Sequence, residues 1–490
     1  MKTKRNLIQI WLFCCATLPA VAQVQFTFTT NNGAITITYY YGSTNNVTIP
    51  GTINGHPVIS IANYAFVGSS FTNVTIPASV TNINTEAFYS CPGLKSFNVI
   101  GGNPSYTSAG GVLFNNPMTT LIKYPMALTG GYGIPSGVIN IGNEAFQTSS
   151  HLTGVTIPNS VTNIGDDAFN GCSGLMGVVI PDSITNIGYS AFDSCSGLKS
   201  ATMGTNVTSI GDYAFANCSS LTNATLGSGV ISIGNNAFES CSALTNVTIP
   251  NSVTNIGNWA FAYCSSLASA TLGTNVTSIG QYAFNWTSLA GVSIPSSVAI
   301  IGDSAFGGCS DLNNITIPNS VSSIGFEAFY ECESLTWVTI GNGVTNIGQY
   351  AFGYCTSLDQ VRFLGNAPSV GNGPGSADNT VFQGETGTAY YASDTAGWDA
   401  TFGGWPTSAG SYQSKPQILG SGGGLGVLNN KFQFTFSWAA NTIVVVEAST
   451  DLANPVWSPL ATNTLTSGTS YFSDSQWTNY PGRFYRLRSP

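Results

Sequence analysis

Hydrophobic and polar residues recur along most of this chain with a period of 23 residues. A representative unit, residues 244–266, reads LTNVTIPNSVTNIGNWAFAYCSS. Residues 247–249 alternate apolar and polar side chains as a short strand does, and the proline that follows ends the strand. Residues 253–256 favour a second extended piece, and Gly257 permits the turn after it. The next segment suits one helical turn. The core face of that turn holds Ala260, Phe261 and Cys264.

An Ala-Phe pair marks each unit, and from residue 145 to residue 351 the step between pairs is 23 residues except for one step of 22. A unit this short cannot bury its apolar face alone. Successive units must therefore stack, with each strand pairing with the equivalent strand of the next rung. The pattern predicts a solenoid whose rungs are about 4.8 Å apart. The alanines of the pairs are Ala65, Ala87, Ala145, Ala168, Ala191, Ala214, Ala237, Ala260, Ala283, Ala305, Ala328 and Ala351.

The repeat pattern, L-x-x-V-x-I-P-x-S-V-x-x-I-G-x-x-A-F-x-x-C, resembles the BspA-like class of bacterial surface leucine-rich repeats. Residues 35–66 look like the usual entry repeat of that class, and residues 101–125 look like a characteristic longer repeat. The resemblance covers roughly residues 35–365. It implies an α/β, β-rich solenoid, a right-handed leucine-rich-repeat superhelix of 23-residue rungs with short helical turns. It also implies an exported or surface-displayed binding and adhesion protein, and it brings no catalytic residues.

The remaining segments do not follow the repeat. Residues 23–407 are assigned to the solenoid, with an N-terminal cap at 23–42, where Asn-Asn-Gly predicts a hairpin, and a C-terminal cap at about 364–407. Residues 408–430 are rich in Gly and Ser and predict a flexible linker. Residues 431–490 predict a small all-β, sandwich-like module, similar to C-terminal β modules of exported bacterial proteins.

Residues 1–22 combine three basic residues, an apolar run and an Ala-Val-Ala cleavage site, which predicts a cleaved signal peptide. Its removal leaves nine basic and 21 acidic residues, a net charge of −12. A nucleic-acid partner is not expected, because phosphate binding needs clustered Lys and Arg. No later stretch approaches the ~20 apolar residues of a membrane helix. We therefore expect a monomer without a transmembrane segment, outside the cell or at its surface, with the periplasm as the alternative.

Nine cysteines remain after signal removal, and each falls three residues after the phenylalanine of its Ala-Phe pair. Zinc ligands must converge, and a straight file of equivalent residues does not, so no metal and no cofactor is expected. Parallel Cβ vectors on neighbouring rungs disfavour disulfides. The ladder is interpreted as buried thiols, with scattered disulfides as the alternative. Its members are Cys91, Cys172, Cys195, Cys218, Cys241, Cys264, Cys309, Cys332 and Cys355.

The other polar groups predict no catalytic site. Neither histidine has a catalytic cysteine partner, because no cysteine lies outside the ladder. The paired acidic residues have no Arg or Lys beside them, and each lies at a variable position of the repeat. The histidines are interpreted as surface turn residues. These groups are His56, His151, Asp166, Asp167, Glu331 and Glu333.

Aromatic residues are the feature that the repeat does not require. On the predicted helical turn, the residue before the alanine and the second residue after the phenylalanine lie off the core face. Aromatic side chains occupy both positions in two adjacent rungs and again three rungs later. The first four are predicted to form one patch. The six candidate binding residues are Trp259, Tyr263, Tyr282, Trp286, Tyr350 and Tyr354.

Grouped exposed aromatic residues favour binding of a protein or stacking on sugar rings. The alternative is that they stack on one another to cover the shortened rung. The sequence therefore predicts a non-catalytic exported or cell-surface protein that binds or adheres to a protein partner through the solenoid surface. A carbohydrate-binding protein is the second hypothesis, and a polysaccharide-active enzyme is the third.

Overall fold

The computed structural model describes residues 25–371, 379–409, 417–419, 426–428, 431–437, 442–451, 455–465, 469–480 and 482–488. The predicted signal peptide and most of the predicted linker lie outside these residues. The described residues divide into two compact units, one within residues 1–359 and 368–386, and one within residues 360–367 and 387–490. Almost all the regular structure of both units is β-strand.

The first unit opens with a hairpin. Its two strands pair antiparallel around Asn32 and Gly33, both with positive φ, as the two-residue hairpin turn predicted from Asn-Asn-Gly requires. A 3-10 helix at Thr85–Phe88 follows the entry repeat. The strands of this segment are Phe26–Asn31 (β1), Ala34–Tyr40 (β2), Asn46–Thr48 (β3), Thr52–Ile53 (β4), His56–Ile61 (β5), Asn73–Ile76 (β6), Asn82–Ile83 (β7) and Ser96–Val99 (β8).

The longer repeat and the regular rungs follow. The longer repeat contributes Tyr106–Ala109 (β9), Val112–Asn115 (β10) and Thr120–Lys123 (β11). The regular rungs contribute Gly130–Gly133 (β12), Asn140–Ile141 (β13), Leu152–Thr156 (β14), Asn163–Ile164 (β15), Gly177–Ile180 (β16), Asn186–Ile187 (β17), Ser200–Met203 (β18), Ser209–Ile210 (β19), Asn223–Thr225 (β20), Ser232–Ile233 (β21), Asn246–Thr248 (β22), Asn255–Ile256 (β23), Ser269–Thr271 (β24), Ser278–Ile279 (β25), Ile300–Ile301 (β26), Asn314–Ile317 (β27), Ser323–Ile324 (β28), Trp337–Ile340 (β29) and Asn346–Ile347 (β30). Gln360–Phe363 (β31) belongs to the second unit, and Ser369–Val370 (β32) returns to the first.

Each regular rung pairs in parallel with the equivalent residues of the next, which confirms the predicted solenoid. The two-residue strands form one sheet of 14 strands that ends in the antiparallel β11, β10 and β9. Its register advances by one repeat per rung, as in the pairing of Asn186 with Ser209. The longer strands form a second layer of shorter sheets, such as β16-β18-β20.

The turn after the second strand differs from the predicted helical turn. Backbone N–H groups at alternate residues of the turn donate to the next rung rather than back along the chain. Trp259, Phe261 and Tyr263 donate to the carbonyls of residues 281, 283 and 285 at 2.8 Å each. A helix needs these donors for its own carbonyls four residues earlier. Stacking therefore replaces the helix with a chain of tight turns.

The interior of the stack is a column of phenylalanine rings. Ten consecutive rings, from Phe146 to Phe352, stack with centroids 4.6–5.5 Å apart. Gly257 shows how closely the rungs approach, because a Cβ at this position would lie 2.6 Å from the backbone carbonyl of Gly234. The 23-residue spacing thus keeps apolar rings in register and requires glycine where the backbones meet.

The nine described cysteines are free thiols and buried, as the interpretation of the ladder as buried thiols expects. Each thiol donates to the carbonyl of the phenylalanine one rung earlier, as Cys264 does to Phe238 at 3.1 Å. In the shortened rung Thr287 takes the ladder position, and its hydroxyl donates to Phe284 at 2.9 Å. The two-residue strands remain paired across this rung, from β25 to β26, whereas the long-strand layer narrows to a single bridge between Ala270 and Val292.

The remaining strands belong to the second unit, and in its described residues they pair in three groups. The strands are Thr388–Tyr391 (β33), Thr401–Phe402 (β34), Trp405–Ala409 (β35), Gln417–Leu419 (β36), Gly426–Leu428 (β37), Lys431–Ser437 (β38), Thr442–Ser449 (β39), Ser458–Leu465 (β40), Thr469–Asp474 (β41) and Phe484–Arg488 (β42), with a 3-10 helix at Trp477–Asn479. In the first group β31 is parallel to β33 and β33 to β35, with β34 antiparallel to β35. The second group is a sheet that joins β36, β37 and β41 to β38, and the third is a sheet with the order β40-β39-β42.

The last two sheets share one hydrophobic cluster, which includes Phe434 of β38, Val446 of β39 and Phe472 of β41. The arginines of the C-terminal strand are paired. The buried Glu447 carboxylate accepts from Nε of Arg486 at 2.8 Å and of Arg488 at 2.7 Å. The arginine-rich strand is therefore partly neutralised within its own sheet. The boundaries of the predicted cap, linker and module remain predictions.

Candidate binding surface

The turns of the solenoid present two columns of residues whose backbone is left-handed. Column A is the residue before each Ala-Phe pair, and column B is the second residue after it. From residue 144 to residue 354 their non-glycine members have φ between 46° and 58°. From residue 144 to residue 350 column A holds Glu144, Asp167, Ser190, Tyr213, Asn236, Trp259, Tyr282, Ser304, Glu327 and Tyr350. From residue 148 to residue 354 column B holds Thr148, Gly171, Ser194, Asn217, Ser240, Tyr263, Trp286, Gly308, Glu331 and Tyr354.

All six candidate binding residues lie in these columns, outside the core. The left-handed conformation suits Gly and is tolerated by Asn and Asp, whereas other L-residues lose about 1–2 kcal/mol in it. Aromatic residues are therefore not the choice that backbone geometry makes at these positions. The same conformation recurs at both positions in every rung from residue 144 to residue 354, so it is set by the stacked fold and not by the aromatic side chains.

Three of the first four aromatic residues form a stacked group. The rings of Trp259 and Tyr282 lie 4.0 Å apart between centroids with a 15° interplanar angle, and Tyr263 lies 6.1 Å from Trp259 at 28°. Trp259 and Tyr282 are half-buried, whereas Tyr263 is exposed. The rings of this group thus use part of their surface on one another, as the packing alternative requires.

Trp286 is arranged differently from the other three. A Cβ on Gly308, in the next rung of column B, would lie 2.7 Å from Cδ2 of Trp286 and 3.0 Å from Cε2 and Cε3. Because Cδ2 and Cε2 are the fusion carbons of the indole, the ring covers Gly308 with its face. Trp286 is 51% exposed, and among the described residues no aromatic ring packs against it. Its other face is therefore open for a ligand.

The second aromatic group is larger than the sequence predicted. Tyr350 packs edge-on against Phe326 with centroids 6.0 Å apart, and Tyr354 packs edge-on against Tyr330 at 5.3 Å. Tyr354 also leans over Gly384, where a Cβ would meet its ring at 3.0 Å. Phe326 and Tyr330 were missed because they occupy other turn positions than columns A and B. Alignment of all turn residues by repeat position, rather than of two positions, would have found them.

The charged residues of columns A and B are all acidic. No Lys or Arg occurs between Lys199 and Arg362. Two half-buried carboxylates, Glu327 of column A and Glu331 of column B, occupy one rung beside the second aromatic group. Burial raises the pKa of Glu327, although the Ser304 hydroxyl donates to its Oε2 at 3.5 Å. In the described part of the chain neither carboxylate has a cation within ion-pair distance.

The other polar groups considered for catalysis make structural hydrogen bonds or are buried. His56 Nδ1 bonds to the Gly33 carbonyl at 3.1 Å, and His151 Nδ1 to the Ser150 hydroxyl at 3.1 Å. Asp166 accepts from the backbone N–H of residue 189 at 2.9 Å, bridging two rungs. Burial raises the pKa of the Cys91 thiol to about 12. Within the described ranges no three His, Cys, Asp or Glu side chains converge as metal ligands would.

The repeat identifies the family. The model of the "BspA type Leucine rich repeat region (6 copies)" matches residues 25–130, 131–241, 198–310 and 277–373. The chain belongs to the BspA-type leucine-rich repeat family. No curated protein matches this BspA-type chain. Among the residues described, none lies in a helix long and apolar enough to cross a membrane.

Solved structures of similar bacterial repeat proteins exist. A leucine-rich repeat protein from Bacteroides ovatus is 28% identical, with a TM-score of 0.54, and the match covers 75% of this BspA-type chain and 93% of that one. A leucine-rich cell surface protein from Faecalibacterium prausnitzii is also 28% identical, with a TM-score of 0.43 over 73% and 96% of the two chains. The pneumococcal vaccine antigen PcpA is 19% identical, with a TM-score of 0.42 over 75% and 92%. The Bacteroides structure supports the leucine-rich-repeat solenoid fold.

Proposed function

We propose that this BspA-type protein is an exported, non-catalytic binding protein that recognises a protein partner through columns A and B. The observation that carries the proposal is Trp286, a half-exposed indole in a left-handed backbone conformation with one face on Gly308. An exposed tryptophan backed by rigid structure is the kind of residue that dominates protein interfaces. The fold does not require an indole at this position, because the five earlier rungs hold Thr, Gly, Ser or Asn there.

The proposal is tested by capture of partners from the native environment. Full-length protein without its signal peptide is immobilised, and proteins it retains are identified by mass spectrometry. The double variant W286A/Y354A is expected to lose the specific partner at least tenfold. The control is Tyr189→Ala, which removes from an earlier rung a tyrosine about as exposed as Trp286. Retention of the same proteins by W286A/Y354A as by the control contradicts the proposal.

Carbohydrate binding is the second candidate function, and the open face of the Trp286 ring favours it. Sugar rings stack on flat aromatic faces through their C–H groups. A glycan array probed with the same variants distinguishes the two functions. If a glycan signal depends on Trp286 and no protein is captured, the ligand is a carbohydrate and not a protein. Turnover of a polysaccharide by purified protein contradicts the non-catalytic assignment.

Export is proposed from residues 1–22, which carry the basic, apolar and small-residue regions of a signal peptide. Cleavage after Ala22 gives a mature chain that starts at Gln23. N-terminal sequencing of the protein recovered outside the cytoplasm tests this cleavage. Recovery of the uncleaved chain in the cytoplasm contradicts it.

A further inference from the structure

Five consecutive rungs carry the same order of side chains in both left-handed columns. Column A reads aromatic, aromatic, small, Glu, Tyr from rung to rung, and column B reads the same. These ten residues are called the binding strip. They are Trp259, Tyr282, Ser304, Glu327 and Tyr350 in column A, and Tyr263, Trp286, Gly308, Glu331 and Tyr354 in column B.

The strip differs from the five rungs before it. In those rungs column B holds only Thr, Gly, Ser and Asn, with neither a ring nor a charge. Column A there has a single aromatic residue, Tyr213. The fold is the same on both sides of this boundary, because Phe238 and Phe261 stack at 5.2 Å and 1° across it. The solenoid therefore does not require the side chains of the strip.

The length of the strip fits a short extended peptide. Four steps of about 4.8 Å make roughly 19 Å between the first and last rungs. An extended chain advances about 3.3 Å per residue, so about six residues span this distance. Aromatic rings lie at both ends, and the Trp286 ring lies over Gly308, between the first rings and the glutamates.

The charge of the strip selects one side chain of such a peptide, close to the end that faces the last rung. Glu327 and Glu331 share one rung, and the next rung adds Tyr350 and Tyr354. Carboxylates pair with a guanidinium or ammonium group, and a tyrosine ring face attracts the same cation. The chain supplies no cation from residue 200 to residue 361. In the described residues no Lys or Arg pairs with either carboxylate, which leaves both available to a basic side chain of the partner.

We infer that the binding strip docks an extended segment of a protein partner that carries an Arg or Lys opposite Glu327 and Glu331 and apolar side chains at its ends. The inference rests on the proposed function, since it specifies the partner chemistry of the same surface. The open face of Trp286 receives an apolar side chain, and the carboxylate rung receives the cation. Electrostatic complementarity of this kind sets specificity and association rate.

The test uses two labelled hexapeptides of one sequence, with Tyr at each end and either arginine or its neutral isostere citrulline next to one of the two tyrosines. Fluorescence polarisation with the mature full-length protein is expected to give at least tenfold tighter binding of the arginine peptide. This preference is expected to shrink when NaCl rises from 50 to 500 mM, because salt screens the charges.

The variant E327Q/E331Q is expected to bind both peptides equally, and E327K/E331K to prefer a third peptide with glutamate in place of the arginine. The matched control is D311N/E333Q, which removes two exposed carboxylates outside the strip. Unchanged thermal unfolding shows that each variant is folded. Equal affinity of the wild-type protein for both peptides, no binding of either, or a preference that survives in E327Q/E331Q overturns the inference.

The two proposals fail in different ways. If the captured partner is lost with W286A/Y354A and kept with E327Q/E331Q, the binding function stands and the basic segment is wrong. If W286A/Y354A retains the partner, the binding surface itself is wrong, whatever the peptides do.

Discussion

The left-handed backbone of the turns can be tested at Ser240 in column B. This residue has φ of 58°, and its N–H donates to the Ala262 carbonyl at 2.8 Å. Both Ser240→Ala and Ser240→Gly keep that backbone bond and remove the hydroxyl. The two variants therefore differ only in the Cβ and in the freedom of the backbone.

The left-handed conformation costs an alanine about 1–2 kcal/mol and a glycine almost nothing. Against this, glycine loses more freedom on folding, roughly 0.5–1 kcal/mol relative to alanine. Ser240→Gly is therefore expected to be more stable than Ser240→Ala by about 0.5–1 kcal/mol. The helical turn predicted from the sequence gives the opposite sign, with glycine less stable by about 1 kcal/mol.

Urea unfolding of the full chain, followed by circular dichroism, measures the difference in midpoint between the two variants at constant slope. Ser200 in the extended strand Ser200–Met203 supplies the control pair, and there glycine is expected to be the less stable variant. If the glycine variant is less stable at Ser240 by the same margin as at Ser200, the left-handed geometry of the columns is refuted.

Three further predictions concern the rest of the solenoid. Gly257→Ala places a Cβ 2.6 Å from the backbone of the preceding rung and is expected to destabilise the protein by about 3 kcal/mol in the same urea assay. The control is Gly291→Ala, whose Cβ has open space around it and which is expected to change stability by less than about 0.5 kcal/mol. Burial raises the pKa of the Cys91 thiol to about 12 and of the Cys309 thiol to about 11. Mass spectrometry after iodoacetamide treatment at pH 8 is therefore expected to find the cysteine ladder unmodified in the native protein and fully modified in denaturant. Modification of the ladder in the native protein contradicts this prediction. Burial raises the pKa of Glu385 to about 7, so the folded state holds a proton that the unfolded state releases near pH 4.5. The free energy of unfolding is therefore expected to fall by roughly 1–2 kcal/mol between pH 4.5 and 7. Glu385→Gln is expected to flatten this dependence, and an unchanged pH profile in that variant contradicts the assignment.

The core of the solenoid was predictable because repetition averages out the weakness of local signals. Ala260 and Phe261 are ambiguous alone, but ten Ala-Phe pairs from residue 145 to residue 351, spaced by 23 residues with one step of 22, leave stacking as the way to bury them. The structure places Ala260, Phe261 and Cys264 in the core. The unbonded thiols follow from the same argument, since a straight file of cysteines has neither convergent nor facing side chains.

The conformation of the turn was not predictable from periodicity. Alanine, phenylalanine and cysteine at this spacing suit a helical face, and nothing in one unit reveals that alternate N–H groups are taken by the next rung. The left-handed residues follow from that exchange of hydrogen-bond partners. The sequence carries a faint signal in the Asn, Asp, Ser and Gly residues of columns A and B, which become meaningful only when all rungs are aligned.

The candidate site divides between sequence and structure in the same way. Repeat spacing by itself determined that Trp259, Tyr263, Tyr282 and Trp286 lie on one face outside the core. Tertiary structure decided what they do there, because ring orientation depends on the neighbouring rung. Two tyrosines stack with Trp259, while Trp286 lies on a glycine and keeps one face open. Periodicity fixes which side a residue is on, and only the packed neighbour fixes which way its ring faces.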